Sequence, residues 1–111
     1  MATWHSLCAL SDIPANSGVA ALVGDLQVAV VRTVDRSGSE AVYALANFDP
    51  FSKAMVISRG IVGSKGSIPF IASPIYKQRF DLRTGACLDD ATVSLPHFPV
   101  KLEDGQVLIQ A

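Results

Sequence analysis

Thiols and imidazoles are scarce in this chain: its 111 residues hold two cysteines, Cys8 and Cys87, and two histidines, His5 and His97. So small a set excludes a disulfide framework, and in a reducing compartment both thiols stay free. The four groups together would suffice for a metal site, but His5-x-x-Cys8 is the only close pair, and nine residues separate Cys87 from His97. Core cysteines and loop histidines are the plainer reading. Long apolar runs are also missing, since nothing approaches the roughly 20 residues of a membrane span. The start, Met1-Ala2-Thr3-Trp4-His5, has neither the basic region nor the apolar stretch of a signal peptide. A soluble, cytoplasmic chain with no membrane partner is therefore expected. Charged residues make up only 17% against 50% hydrophobic, which excludes disorder, and the net charge of −1 disfavours nucleic acid as a partner. Helical periodicity is not sustained over ten residues anywhere in the chain. The length fits one domain, 1–111.

What the chain does have is short strands with turn signals between them. Val19–Val23 ends at Gly24-Asp25, and Leu26–Arg32 follows with partial alternation, so the pair reads as a hairpin. The turn cluster from Asp35 to Ser39 leads into Ala41–Ala46, giving three antiparallel strands before Asn47. Met55–Ile57 and Ile68–Ala72 read as further strands, with the Gly/Ser/Lys-rich 60–67 as a loop or mobile tip between them and Pro69 at an edge or strand start. Arg79–Leu82 enters the Arg83-Thr84-Gly85 turn, and Ala86–Leu88 pairs back across it. Val100–Glu103 and Gln106–Gln110 flank Asp104-Gly105, a strong hairpin signal. A single helical turn is expected near Ser11–Pro14. The fold class is all-β, an antiparallel sandwich or small barrel.

The segment Ser73-Pro74-Ile75-Tyr76-Lys77-Gln78-Arg79-Phe80-Asp81-Leu82-Arg83-Thr84-Gly85 resembles the second ligand loop of Rieske iron–sulfur domains, which reads roughly Cys-Pro-x-His-Gly-x-x-Phe-Asp-x-x-Thr-Gly. Pro74, Phe80, Asp81, Thr84 and Gly85 match, while Ser73 replaces the cysteine and Tyr76 the histidine. Upstream, Asp49-Pro50-Phe51 resembles the first loop, Cys-x-His, with Asp49 for the cysteine and Phe51 for the histidine. A carboxylate, a phenyl ring, a hydroxyl and a phenol cannot replace two thiolates and two imidazoles. With Ser58-Arg59-Gly60-Ile61-Val62-Gly63, Trp4, Cys8, Asp12-Ile13-Pro14, Gly18 and Asp104-Gly105, the pattern is similar, over nearly the whole chain, to the small subunit of assimilatory NAD(P)H nitrite reductase.

That resemblance implies a Rieske-like β fold with two hairpin loops at one end, in a loop subdomain of about 47–85. It also implies no cluster in this chain, and no catalytic, cofactor or metal residues. The partner it implies is a large subunit carrying FAD, iron–sulfur and sirohaem centres, with nitrite reduced to ammonium in nitrate assimilation by the complex rather than by this chain alone. Ring packing of Phe51 on Tyr76 is expected to hold the loop tips where a cluster would. Between Pro50 and Arg83 lie six basic residues, Lys53, Arg59, Lys65, Lys77, Arg79 and Arg83, against one acid, Asp81, so the loop end should be basic. Arg59, Tyr76, Lys77 and Arg79 are the expected contacts with the large subunit, although a solvated basic face, or burial of Tyr76 and Phe51, fits the sequence as well. The glycines at 60, 63 and 66 lack the strand and helix of a phosphate loop and read as flexibility. Other classes carried by the residues are a cluster-free binding module, a Rieske-type electron carrier, which the four replacements oppose, and weak homodimers through an exposed strand edge.

Overall fold

The computed structural model describes residues 3–111. Its twelve strands are β1 Trp4–Ala9, β2 Ser17–Val23, β3 Leu26–Val34, β4 Glu40–Ala46, β5 Phe48–Asp49, β6 Ala54–Met55, β7 Ile61–Lys65, β8 Ile68–Ala72, β9 Arg79–Asp81, β10 His97–Phe98, β11 Val100–Glu103 and β12 Gln106–Gln110. All pairings are antiparallel, in sheets ordered β1-β12-β11, β10-β4-β3-β2, β5-β6 and β7-β8-β9. The all-β antiparallel architecture read from the sequence is what the chain adopts.

The central strand β3 explains why its alternation is only partial. Val28 and Val30 belong to one apolar cluster with Ile13, Ala44, Val107 and Ile109, whereas Ala29 and Val31 belong to another with Leu45, Ile57, Ile71, Phe80, Leu82, Cys87 and Leu95. With both faces covered, β3 has no solvent side to mark with polar residues. The β1-β12-β11 sheet closes one face, and the β7-β8-β9 sheet with its loops closes the other.

Turn chemistry holds where it was readable. Gly24 takes φ 60° as the first residue of the two-residue β2–β3 turn, and Asp104 and Gly105, at φ 52° and 76°, make the two left-handed residues of the β11–β12 turn.

Three expectations are corrected, and the helical turn is located. Trp4–Ala9 is a strand, so four strands rather than three precede the first loop. The turn expected near Ser11–Pro14 is a 3-10 turn over Leu10–Asp12, where the Asp12 carboxylate accepts from the Ala9 N–H at 3.1 Å. Met55–Ile57 is not one strand: β6 is two residues, and Ile57–Arg59 forms a second 3-10 turn. The stretch 60–67 is mostly strand β7, with only Gly66-Ser67 as its turn. Gly63 stands opposite the Phe70 ring, whose nearest atom would lie 2.8 Å from a Cβ there, so close packing and not flexibility accounts for that glycine.

Candidate functional site

The loops expected to carry a cluster have the same five-residue construction, Asp49-Pro50-Phe51-Ser52-Lys53 and Ser73-Pro74-Ile75-Tyr76-Lys77. In each, the N–H of the fifth residue donates to the carbonyl of the first, Lys53 to Asp49 at 2.7 Å and Lys77 to Ser73 at 3.0 Å. The N–H of the third donates to the first side chain, Phe51 to Asp49 Oδ1 at 2.9 Å and Ile75 to Ser73 Oγ at 3.3 Å. Both lysines sit in the left-handed region, Lys53 at φ 60° and Lys77 at φ 67°. An acceptor side chain before proline closes each loop in the manner of an Asx or Ser turn, which fits these residues to the position.

The first residues of the two loops meet. Ser73 Oγ donates to Asp49 Oδ2 at 2.5 Å, across 24 residues of sequence, with Asp49 fully buried and Ser73 nearly so. Ser52 Oγ donates to the same carboxylate oxygen at 2.8 Å. Burial pushes the Asp49 carboxyl up, but the bonds from Ser73, the Phe51 N–H and Ser52 outweigh it and hold the group below its ordinary value. Asp49 is therefore an ionised acceptor that ties one loop to the other.

Asn47 anchors the first loop from below. Its side-chain oxygen accepts from the Ser58 N–H at 2.7 Å, its carbonyl from Ile57 N–H at 3.1 Å, and its own N–H donates to the Gln27 carbonyl at 3.0 Å. Asn47 was not among the sequence-predicted site residues, although an amide between a strand and a proline turn is a recognisable signal. Beyond the second loop, Arg79 grips Asp89 through both Nε and a terminal nitrogen, at 3.2 and 2.7 Å, and lies 5.7 Å from the Phe70 ring centre. That pairing holds the Asp89 carboxyl down at about 2. Arg83 binds Asp81 in the same forked way and, together with burial acting in opposition, leaves Asp81 below its ordinary value.

The ring packing differs from expectation. Phe51 pairs with Phe80, centroids 6.2 Å apart, and packs on the core, whereas Tyr76 is 60% exposed. The tips are joined by the Ser73–Asp49 bond instead of by two rings. Of the expected contacts, Arg59, Tyr76 and Lys77 are exposed, but Arg79 is committed to Asp89. The basic end is smaller than the count suggested: Arg79 and Arg83 are paired, and Lys65 lies at the far turn of the β7–β8 hairpin.

A Rieske [2Fe–2S] centre needs two thiolates and two imidazoles. The residues at the four positions do not fit it. The two in the thiolate places spend their oxygens on each other, the Phe51 ring is packed on Phe80, and Tyr76 faces solvent.

Comparison with known proteins agrees with this frame. The Rieske-like [2Fe-2S] domain family matches residues 3–110. The chain is 38% identical over 110 residues to the nitrite reductase (NADH) small subunit of Escherichia coli K12, covering 99% of each. The crystal structure of an NADH-dependent nitrite reductase small subunit from Mycobacterium tuberculosis superimposes with a TM-score of 0.89 at 41% identity, covering 100% of this chain and 96% of that one. A nitrite reductase [NAD(P)H] large subunit from Klebsiella oxytoca contains a segment 41% identical over 106 residues, 96% of this chain but 11% of that protein. The chain thus belongs to the Rieske-like [2Fe-2S] domain family, and within it to the nitrite reductase small subunits.

Proposed function

We propose that this chain is the accessory small subunit of an assimilatory NAD(P)H nitrite reductase, working in the cytoplasm on a large subunit that holds the flavin, iron–sulfur and sirohaem centres. Electrons from the nicotinamide reach nitrite through those centres and yield ammonium. This chain supplies binding and stability to the complex without carrying electrons. The observation that carries the reading is the occurrence of the same domain in two settings, as a small subunit matched end to end and as a segment inside a large-subunit chain. A domain covalently joined to the large subunit in one organism and separate in another acts on that subunit in both.

The four replaced ligand positions support the non-redox role, because no thiolate or imidazole stands there. An electron carrier would require a cluster, and the Asp49–Ser73 bond occupies the place where its ligands would converge. The test is an affinity pull-down of the tagged chain from nitrate-grown cells of its source, with the visible spectrum of the eluate recorded. A co-eluting large protein with flavin and sirohaem absorption is the expected result. A colourless chain alone, or iron–sulfur absorption belonging to the small chain itself, would overturn the assignment.

A further inference from the structure

Of the large apolar side chains exposed among the described residues, Trp4, Leu22, Leu26, Ile61 and Leu102 stand on other strands, and four stand on or beside the two loops. Phe48 and Met55, cross-strand partners at the base of the first loop, are 41% and 47% exposed, and Ile75 and Tyr76, at the tip of the second, are 46% and 60% exposed. The Asp49–Ser73 bond joins the two loops, so these four groups share one end of the molecule. A hairpin base and a loop tip that both leave large apolar groups in water have no folding reason to do so.

Unpaired positive charge stands on the same two loops. Lys53 and Lys77 occupy matching places in the two loops, both exposed, and neither has an ion-pair partner among the described residues. The neighbouring carboxylates do not offset them: Asp49 is buried in the loop bridge, Asp81 is held by Arg83, and Asp89 by Arg79. Each lysine is fixed by its own N–H bond to the first residue of its loop, so the two ammonium groups project from rigid turns.

We infer that this end is the surface that docks on the large subunit, through Phe48, Met55, Ile75 and Tyr76 as a central apolar contact flanked by Lys53 and Lys77. Its counterpart is an apolar patch rimmed by carboxylates, in keeping with an aromatic and aliphatic centre and a charged border. The inference rests on the reading above that the large subunit is the partner. It departs from the sequence expectation of Arg59, Tyr76, Lys77 and Arg79 in leaving out Arg59 and Arg79, the latter committed to Asp89, and in adding Lys53, Ile75 and the Phe48–Met55 pair. The bridge between the loops gives the surface a fixed shape before binding, which lowers the ordering cost of association.

The test is the dissociation constant between the purified chain and its large subunit, measured for the wild type, Ile75→Asp, Met55→Asp, the double variant Lys53→Glu/Lys77→Glu, and the control Leu102→Asp. Leu102 is 50% exposed on β11, in the sheet that closes the other face of β3. Each apolar variant is expected to weaken binding by about tenfold or more. The double charge reversal should weaken it and flatten its salt dependence, and Leu102→Asp should leave it unchanged. Thermal melts confirm that each variant is folded; the lysine variant changes only exposed groups and stands in if an apolar variant is not. Loss of binding in Leu102→Asp with none in the loop variants would overturn the inference and leave the partner assignment standing. Failure of the wild type to bind any large subunit would overturn the assignment itself. Self-association abolished by Ile75→Asp, without effect on the large subunit, would show the surface to be a contact between copies and also overturn the inference.

Discussion

Two loops built to one pattern have been put to different uses. In 49–53 the third residue is Phe51, whose ring turns inward onto Phe80 and the core; in 73–77 the third and fourth are Ile75 and Tyr76, both left in solvent. The backbone bonds of the two are the same, so backbone geometry does not decide the difference. Side-chain destination decides it. The first loop spends its aromatic ring on the fold, and the second leaves its apolar side chains at the surface. The bridge between Asp49 and Ser73 is where the two roles are joined, and it too is asymmetric: Asp49 accepts from both loops, whereas Ser73 donates a single bond.

The largest effect should come from the bridge on its Asp49 side. Asp49→Ala leaves the Ser73 and Ser52 hydroxyls and the Phe51 N–H without their acceptor, and a loss of about 3 kcal/mol is expected in denaturant unfolding. Ser73→Ala removes one of the donors to Asp49 and the weak acceptor of the Ile75 N–H, and should cost about 1.5 kcal/mol. Equal losses would contradict the asymmetry.

Next is the comparison of the aromatic residues. Phe51→Ala, half-buried on Phe80, is expected to lose about 2 kcal/mol of stability, and Tyr76→Ala within about 0.5 kcal/mol. If the large subunit covers the second loop, the order reverses when binding of the folded variants is measured.

Acid should loosen the bridge. The folded Asp49 carboxyl lies below its ordinary value, while an unfolded one titrates at about 3.9. The unfolded chain therefore takes up its proton first, so the stability this group contributes is present above about pH 4 and is lost as the pH falls through the depressed folded value. Asp89, held at about 2, adds a loss of the same sign over the window from about 4 down to about 2. In Asp49→Asn the drop in unfolding midpoint between about pH 5 and about pH 3 should shrink but not vanish. An unchanged drop would mean that Asp49 contributes nothing to it.

The smallest effect concerns the two lysines at φ 60° and 67°. Lys53→Gly and Lys77→Gly relieve a left-handed residue of its Cβ, and each should raise the unfolding midpoint by the equivalent of about 0.5 kcal/mol. The gains should be alike, because the loops are alike at this position. Lys77→Gly should nonetheless bind the large subunit more weakly than wild type, separating stability from docking at one residue.

Several elements were legible because their cause is local. The Asp104-Gly105 turn, the β2–β3 hairpin and the loop prolines declare themselves within a few residues. Strand β1 did not, because Trp4–Ala9 has no β-branched residue and a register shift between Ser6 and Cys8 breaks its alternation. Its partner β12 lies at the opposite end of the chain. Strand β7 was hidden by glycines at positions where β8 packs too closely for a side chain.

The site divides in the same way. Sequence alone determined that the thiolate and imidazole set of a Rieske centre is missing from the four ligand positions, since the identities of Asp49, Phe51, Ser73 and Tyr76 settle that without coordinates. Only the tertiary structure decided what replaced it: a carboxylate–hydroxyl bond between residues 24 apart, one aromatic ring turned to the core and the other to solvent, and Arg79 diverted to Asp89. Ligand chemistry is a property of single side chains, whereas these pairings depend on which distant residues the sheets bring within hydrogen-bonding reach.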